Sequence, residues 1–257
     1  MLGAIAGDII GSVYEHNNIK TTDFPLFQDA CIFTDDSVQT IALADSIIRG
    51  TNFQEKLKEY YRLYRDAGYG FSFVQWAEAK ESTPYHSWGN SSAMRVSPVG
   101  FAYNSLEEVL LEARKSAEIT HDHIDGIKGA QATASAVFMA RTGKSKGEIK
   151  SYIESEFEYD LSQNIDKIRE TYELDVSCQG TVPQSITAFL ESSDYEDSIR
   201  KAISIGGDSD TIACITGGIA HAFYKDIPDS IVDKVYKVLD GPLRQVTTLF
   251  CNKYDCF

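Results

Sequence analysis

Segment after segment of this chain repeats its apolar residues every three to four positions, and none alternates them convincingly. A period near 3.6 builds one face of a helix, whereas a half-buried strand needs a period of two. Asp36 to Arg49 shows the pattern, with Val38, Ile41, Ala42, Ala44 and Ile48 on one side and Gly50 as the stop. Helices are expected also at Gln54–Ala67, Ser105–Ser116, Asp125–Arg141, Ser145–Phe157, Gln184–Leu190, Tyr195–Ser204, Asp210–Tyr224, Pro228–Leu239 and Pro242–Asn252. Ser105 with Glu108 reads as a capping box, and Pro228 and Pro242 suit first turns. The runs around Tyr69–Phe73 and Val96–Tyr103 are ambiguous. Gly3, Gly7 and Gly11 recur every fourth residue, so a helix there can take another backbone against one face. With 257 residues, no Pro- or Ser-rich linker and no repeat, the expectation is a single all-α domain over residues 1–257.

Composition narrows the function. The formal charge of −14 argues against a basic nucleic-acid-binding face. No window resembles a signal peptide and no apolar run is long enough to span a bilayer. Five scattered cysteines without a CxxC pair point to reduced thiols in a cytoplasmic protein.

Two acidic clusters carry the chemistry: Thr34-Asp35-Asp36 and Gly207-Asp208-Ser209-Asp210-Thr211. Each precedes a helix, so the bland reading is N-capping. A cap needs one carboxylate, however, and each cluster offers two beside a threonine hydroxyl. Brought together, four carboxylates would demand cations, and oxygen-only ligands suit Mg²⁺ or Mn²⁺. Gly206-Gly207 permits a tight turn before the second cluster. Glu15 follows the apolar stretch Ile9–Tyr14 and precedes the polar run His16-Asn17-Asn18, which marks it as a candidate mobile gate rather than a surface carboxylate. The loop Ser87-Trp88-Gly89-Asn90-Ser91-Ser92 could offer backbone N–H groups to phosphate. Thr120-His121-Asp122-His123 is read as ligand-bonding or solvated groups, not as a metal site.

Together these motifs resemble the ADP-ribosylglycohydrolase family. The likeness runs from Gly3-Ala4-Ile5-Ala6-Gly7-Asp8 through Thr34-Asp35-Asp36, Gly89-Asn90 with Ala93-Met94-Arg95, and Thr120-His121. It ends in Gly206-Gly207-Asp208-Ser209-Asp210-Thr211 and Gly217-Gly218. The resemblance implies a multi-helix domain with two Mg²⁺ or Mn²⁺ ions in a central cleft. Thr34, Asp35, Asp36, Asp208, Asp210 and Thr211 would be the metal ligands, and Glu15 would close on them. Ser87, Trp88, Gly89, Asn90 and Ser91 would bind diphosphate and ribose, with His121 near the distal ribose. The ions would polarise the ribose hydroxyls and bring a water to the anomeric carbon, with Asp35, Asp36 or Asp208 as base. The implied partners are ADP-ribose and an ADP-ribosylated protein, with arginine as the favoured acceptor. Ser91 departs from a glycine frequent at its position, and the compact stretch between His121 and Gly206 leaves acceptor choice open. Two rivals stand beside this reading: a dimetal nucleotide phosphohydrolase, disfavoured because the aspartate clusters contain no histidine, and an inactive ADP-ribose-binding or structural relative, disfavoured because all six ligand positions are intact.

Overall fold

In the computed structural model, which describes residues 1–256, fifteen helices account for the ordered secondary structure and no strand forms among the described residues. The first half holds α1 (Leu2–Gly11), α2 (Asp35–Arg49), α3 (Phe53–Leu63), α4 (Phe71–Glu78), α5 (Ser91–Met94), α6 (Ser97–Ala102) and α7 (Leu106–Glu118). The second half holds α8 (Ile124–Arg141), α9 (Lys146–Phe157), α10 (Ile165–Thr171), α11 (Cys178–Glu191), α12 (Tyr195–Ser204), α13 (Ser209–Tyr224), α14 (Asp229–Val238) and α15 (Gly241–Lys253). They pack as a single all-helical domain. No helix among the described residues is long and apolar enough to cross a membrane.

At the centre α1 lies antiparallel against α13. All ten residues of α1 are buried, which explains an apolar content that no amphipathic helix would carry. Its glycines are the reason two such helices can meet. A methyl group on Gly7 would stand 2.0 Å from the Ala213 carbonyl oxygen, and one on Gly3 would stand 2.4 Å from that of Gly217. One on Gly11 would reach the Cα of Asp210 at 2.5 Å. The backbones therefore touch, and the end of α1 is delivered to the start of α13. That register carries Glu15, just beyond α1, to the second acidic cluster.

Local caps account for most boundaries. Ser105 and Ser145 close capping boxes with Glu108 and Glu148, and Gly50 ends α2 in the left-handed conformation. The differences from the sequence expectation are also local. The helix expected through Ala67 stops at Leu63, because Tyr64 leaves helical geometry and places its hydroxyl 2.9 Å from an Asp240 carboxylate oxygen. The freed loop turns toward α2, where the Ala67 carbonyl accepts from Asp35 N–H at 2.7 Å. α11 begins at Cys178, six residues before the expected start. Pro183 sits inside it rather than before it, with Ser177 as the cap. The two ambiguous runs fall in α4 and α6, both helical.

Candidate active site

The capping reading fails for all but one of the four carboxylates. At α2 it is the Thr34 hydroxyl that accepts from Asp36 N–H, at 3.3 Å, and at α13 the Asp208 side chain makes no capping bond at all. Asp210 Oδ1 accepts from Thr211 N–H at 3.0 Å in the first turn of α13, and the other three carboxylates take no helix N–H. Asp8 of α1 builds the first cluster. Its carboxylate accepts from Thr34 N–H at 3.0 Å, the Thr34 hydroxyl at 2.6 Å, Ser37 N–H at 3.1 Å and the Ser37 hydroxyl. Four donors hold a fully buried anion and fix the turn that presents Asp35 and Asp36. Burial still pushes Asp8 up to about 6.

The second cluster rides on two consecutive left-handed glycines, Gly206 at φ +75° and Gly207 at φ +72°. A side chain at 207 would also strike the Tyr172 ring at 2.6 Å. Asn18 grips this turn, accepting from Gly207 N–H and donating to the Gly207 carbonyl at 3.0 Å. Lys20 adds bonds to the carbonyls of Ile205 and Tyr172.

The two clusters converge. The Thr211 hydroxyl donates to Asp36 Oδ1 at 3.3 Å, across 175 residues of sequence. One carboxylate oxygen from each of Glu15, Asp208 and Asp210 lies within 4.8 Å of the others, a spacing at which a cation could be held. Asp36, Asp208, Asp210 and Thr211 are all buried. Burial, then the neighbouring carboxylates, raises Asp36 and Asp210 well above the usual range. Asp35, only partly exposed, is pushed up to about 7 by burial first and Asp8 second. Burial, opposed by His16, raises Glu15 as well. Asp36 Oδ2 is buried without a hydrogen-bond partner. Buried oxygens of one charge sign, one of them orphaned, are a donor set that a hard divalent cation fits.

Three residues sit differently from the sequence expectation. The Asn90 amide is turned inward, donating to Asp208 Oδ2 at 2.7 Å and to the Thr181 hydroxyl at 3.1 Å. It orients an acidic ligand, and only its main chain faces the loop. Thr34 is already a cap and a donor to Asp8, which leaves one lone pair for a cation. Glu15 does not ride on a free loop, because Asn18 donates to its carbonyl at 2.7 Å while gripping Gly207. Any movement of Glu15 belongs to its side chain, which is 38% exposed.

The loop from Ser87 to Asn90 is clamped to the residues before α11. Asn90 N–H donates to the Val176 carbonyl at 2.8 Å, and Cys178 N–H to that of Trp88 at 2.9 Å. Trp88 is 54% exposed and lies over His123, with ring centroids 5.5 Å apart. Ser91 opens the short α5. His121 is buried beside the loop, and a methyl group on Gly89 would stand 3.5 Å from its Nε2. His123 and Asp122 pair only loosely at the surface, with Asp125 and His86. Sequence reasoning assigned no role to Asp8, Asn18, Gln39 or Thr181. Asp8 alone left a signal, a charged residue inside an otherwise apolar helix.

The chain belongs to the ADP-ribosylglycohydrolase family, whose sequence profile matches residues 1–254. It is similar to human ADP-ribosylhydrolase ARH3, 28% identical over 312 residues that cover 90% of this chain and 86% of that protein. It is also similar to ADP-ribosylarginine hydrolase Tri1 of Serratia proteamaculans, 24% identical over 275 residues covering 91% and 74%. Among solved structures, the chain resembles an ADP-ribosylglycohydrolase-related protein complex. That match has a TM-score of 0.73 and 22% identity, and covers 99% of this chain and 96% of the other.

Proposed function

We propose that this chain is a divalent-metal-dependent hydrolase that removes ADP-ribose from modified protein side chains, with ADP-ribosylarginine as the preferred substrate. The observations that carry the metal dependence are the close grouping of Glu15, Asp208 and Asp210 and the buried Asp36, tied to the same cluster through Thr211 and carrying an orphaned oxygen. The arginine preference takes support from the name of the Serratia relative.

Two Mg²⁺ or Mn²⁺ ions held by Thr34, Asp35, Asp36, Asp208, Asp210 and Thr211 would supply Lewis acidity toward the ribose hydroxyls and the attacking water. The protein does the rest. Asp8 and Asn90 orient Asp35–Asp36 and Asp208 from behind, as outer partners of metal ligands commonly do. Gln39 donates to Asp35 Oδ2 at 2.7 Å, which leaves Oδ1 free on a partly exposed side chain. Asp35 Oδ1 takes a proton from the water whose oxygen bonds to the anomeric carbon. The bond to the side-chain nitrogen breaks with its electron pair on nitrogen, which takes up a proton, and the water's oxygen stays on the ribose. Positive charge growing on the ribose is stabilised by the surrounding carboxylates. The loop Ser87–Asn90, clamped to Val176 and Cys178, receives the diphosphate and ribose through the N–H groups of Ser87 and Trp88, because those of Gly89 and Asn90 are already given to Ser87 Oγ and the Val176 carbonyl, with Trp88 and His121 beside it.

The phosphohydrolase alternative loses ground, because no histidine joins the group of ligand atoms among the described residues. All five cysteines are free thiols, which supports a reducing, cytoplasmic setting. A panel of substrates with defined arginine, serine, nucleobase and ester linkages tests the reading. Release of ADP-ribose from the arginine conjugate should be fastest, and turnover of another linkage alone would refute the arginine assignment.

A further inference from the structure

A single buried cation joins the ligand loop to the acidic cluster. Arg95 is fully buried, and its guanidinium makes three bonds. Nη1 donates to Gln39 Oε1 at 2.9 Å, while Nη2 donates to the Ser116 carbonyl at 2.8 Å and to the Thr120 hydroxyl at 2.7 Å. Gln39 passes the connection to Asp35, and the Thr120 hydroxyl stands 2.7 Å from His121 Nδ1.

The protons along this relay can be assigned, although the Arg95 Nε–H itself finds no partner. Arginine only donates, so the Gln39 oxygen must face it and the Gln39 amide nitrogen must face Asp35. The Thr120 oxygen accepts from Arg95 and has one proton to give. The other acceptors near it are the Ala117 carbonyl at 3.5 Å, which already accepts from Thr120 N–H at 3.0 Å and His121 N–H at 2.7 Å, and the Tyr85 phenol oxygen. The 2.7 Å contact to His121 Nδ1 is far shorter than the one to Ala117, and we assign the hydroxyl proton to it. Burial, and then the Arg95 charge, hold His121 well below the usual imidazole range, so the ring is neutral. Its proton must then sit on Nε2, the nitrogen facing the space left open by Gly89.

We propose that Arg95 and Thr120 are positioning residues that lock His121 as an Nε2–H donor, so that the ligand atom opposite it must be an acceptor oxygen such as a hydroxyl or phosphate. Through Gln39 the same guanidinium orients Asp35. The donor in the loop and the carboxylate in the acidic cluster are thereby set by one group. The identity of the ligand rests on the proposed function, whereas the tautomer does not.

Two-bond ¹H–¹⁵N spectra of the whole protein at neutral pH, with His121→Gln to assign the signal, read the tautomer directly. A bare Nδ1 and a protonated Nε2 are expected, and a protonated Nδ1 would overturn the proposal. Thr120→Val removes the hydroxyl and keeps the shape. It should release the tautomer and weaken ADP-ribose inhibition about tenfold, the scale of one lost hydrogen bond. Metal affinity should stay unchanged and Thr120→Ser should restore the inhibition. Unaltered spectra and inhibition in Thr120→Val would also overturn it. If wild type shows the expected tautomer but ADP-ribose does not inhibit it, the functional reading fails and the tautomer assignment stands.

Discussion

Asp8→Asn isolates the electrostatic cost of building this site. In the folded protein Asp8 is fully buried and titrates at about 6, against an ordinary value of 3.8. A carboxyl whose pKa is raised by folding contributes stability that is complete below the unfolded value and is lost as pH rises through the folded one. At pH 5 the folded carboxyl is mostly protonated and the unfolded one mostly ionised. By pH 8 both are ionised and that advantage is gone. One pH unit below the folded value corresponds to about 1.4 kcal/mol. Asparagine has no such titration, so whatever its fixed effect on the four donors from Thr34 and Ser37, the difference between the two proteins must depend on pH. Chemical denaturation in chelator at pH 5 and pH 8 measures it; the buried histidines cancel because both proteins contain them, whereas Asp35, Asp36 and Asp210, which the Asp8 charge raises, add to the effect in the same direction. Wild type should lose at least about 1.4 kcal/mol relative to the variant between pH 5 and pH 8. A difference that is constant, or that moves the other way, would refute the assignment of a strained anion at Asp8.

Other substitutions test the remaining parts. Asn90→Ala removes the bond to Asp208, so Mg²⁺ or Mn²⁺ affinity by calorimetry should fall roughly 10- to 100-fold, as for outer partners of metal ligands. Unchanged affinity would return Asn90 to the ligand loop. Glu15→Ala should lower turnover while a bound divalent ion remains detectable, because the six other proposed oxygen ligands are untouched. Normal turnover would make Glu15 a surface carboxylate. Gly7→Ala drives a methyl group into the Ala213 carbonyl at 2.0 Å and should cost at least about 1–3 kcal/mol in urea denaturation. A neutral result would mean that α1 and α13 do not touch.

Much of this was written in the chain in local form. Periodicity and caps mark the long helices, because both signals lie within a few residues of each other. The glycine spacing of α1 announces a close backbone approach, although only the fold shows that the partner is α13. What stayed hidden is long-range or short. Asn90 faces Asp208 across 118 residues and Arg95 faces Gln39 across 56. Neither contact leaves a local pattern. The four-residue α5 and the seven-residue α10 are too short for a period to register. The helix expected from Gln184 starts earlier, at Cys178, because the Ser177 side chain caps it and Pro183 is accommodated inside α11.

The account stands most directly on one assay, the release of free ADP-ribose from an ADP-ribosylated arginine protein by wild type and by Asp36→Asn, each with Mg²⁺ or Mn²⁺ and with EDTA. Wild type should release ADP-ribose only with the cation. Asp36→Asn should stay folded and release none in either condition, because Asp36 joins the two acidic clusters. Release by wild type in EDTA, or near-normal release by Asp36→Asn with the cation, would contradict the claim that the converging carboxylates form a metal-dependent active site.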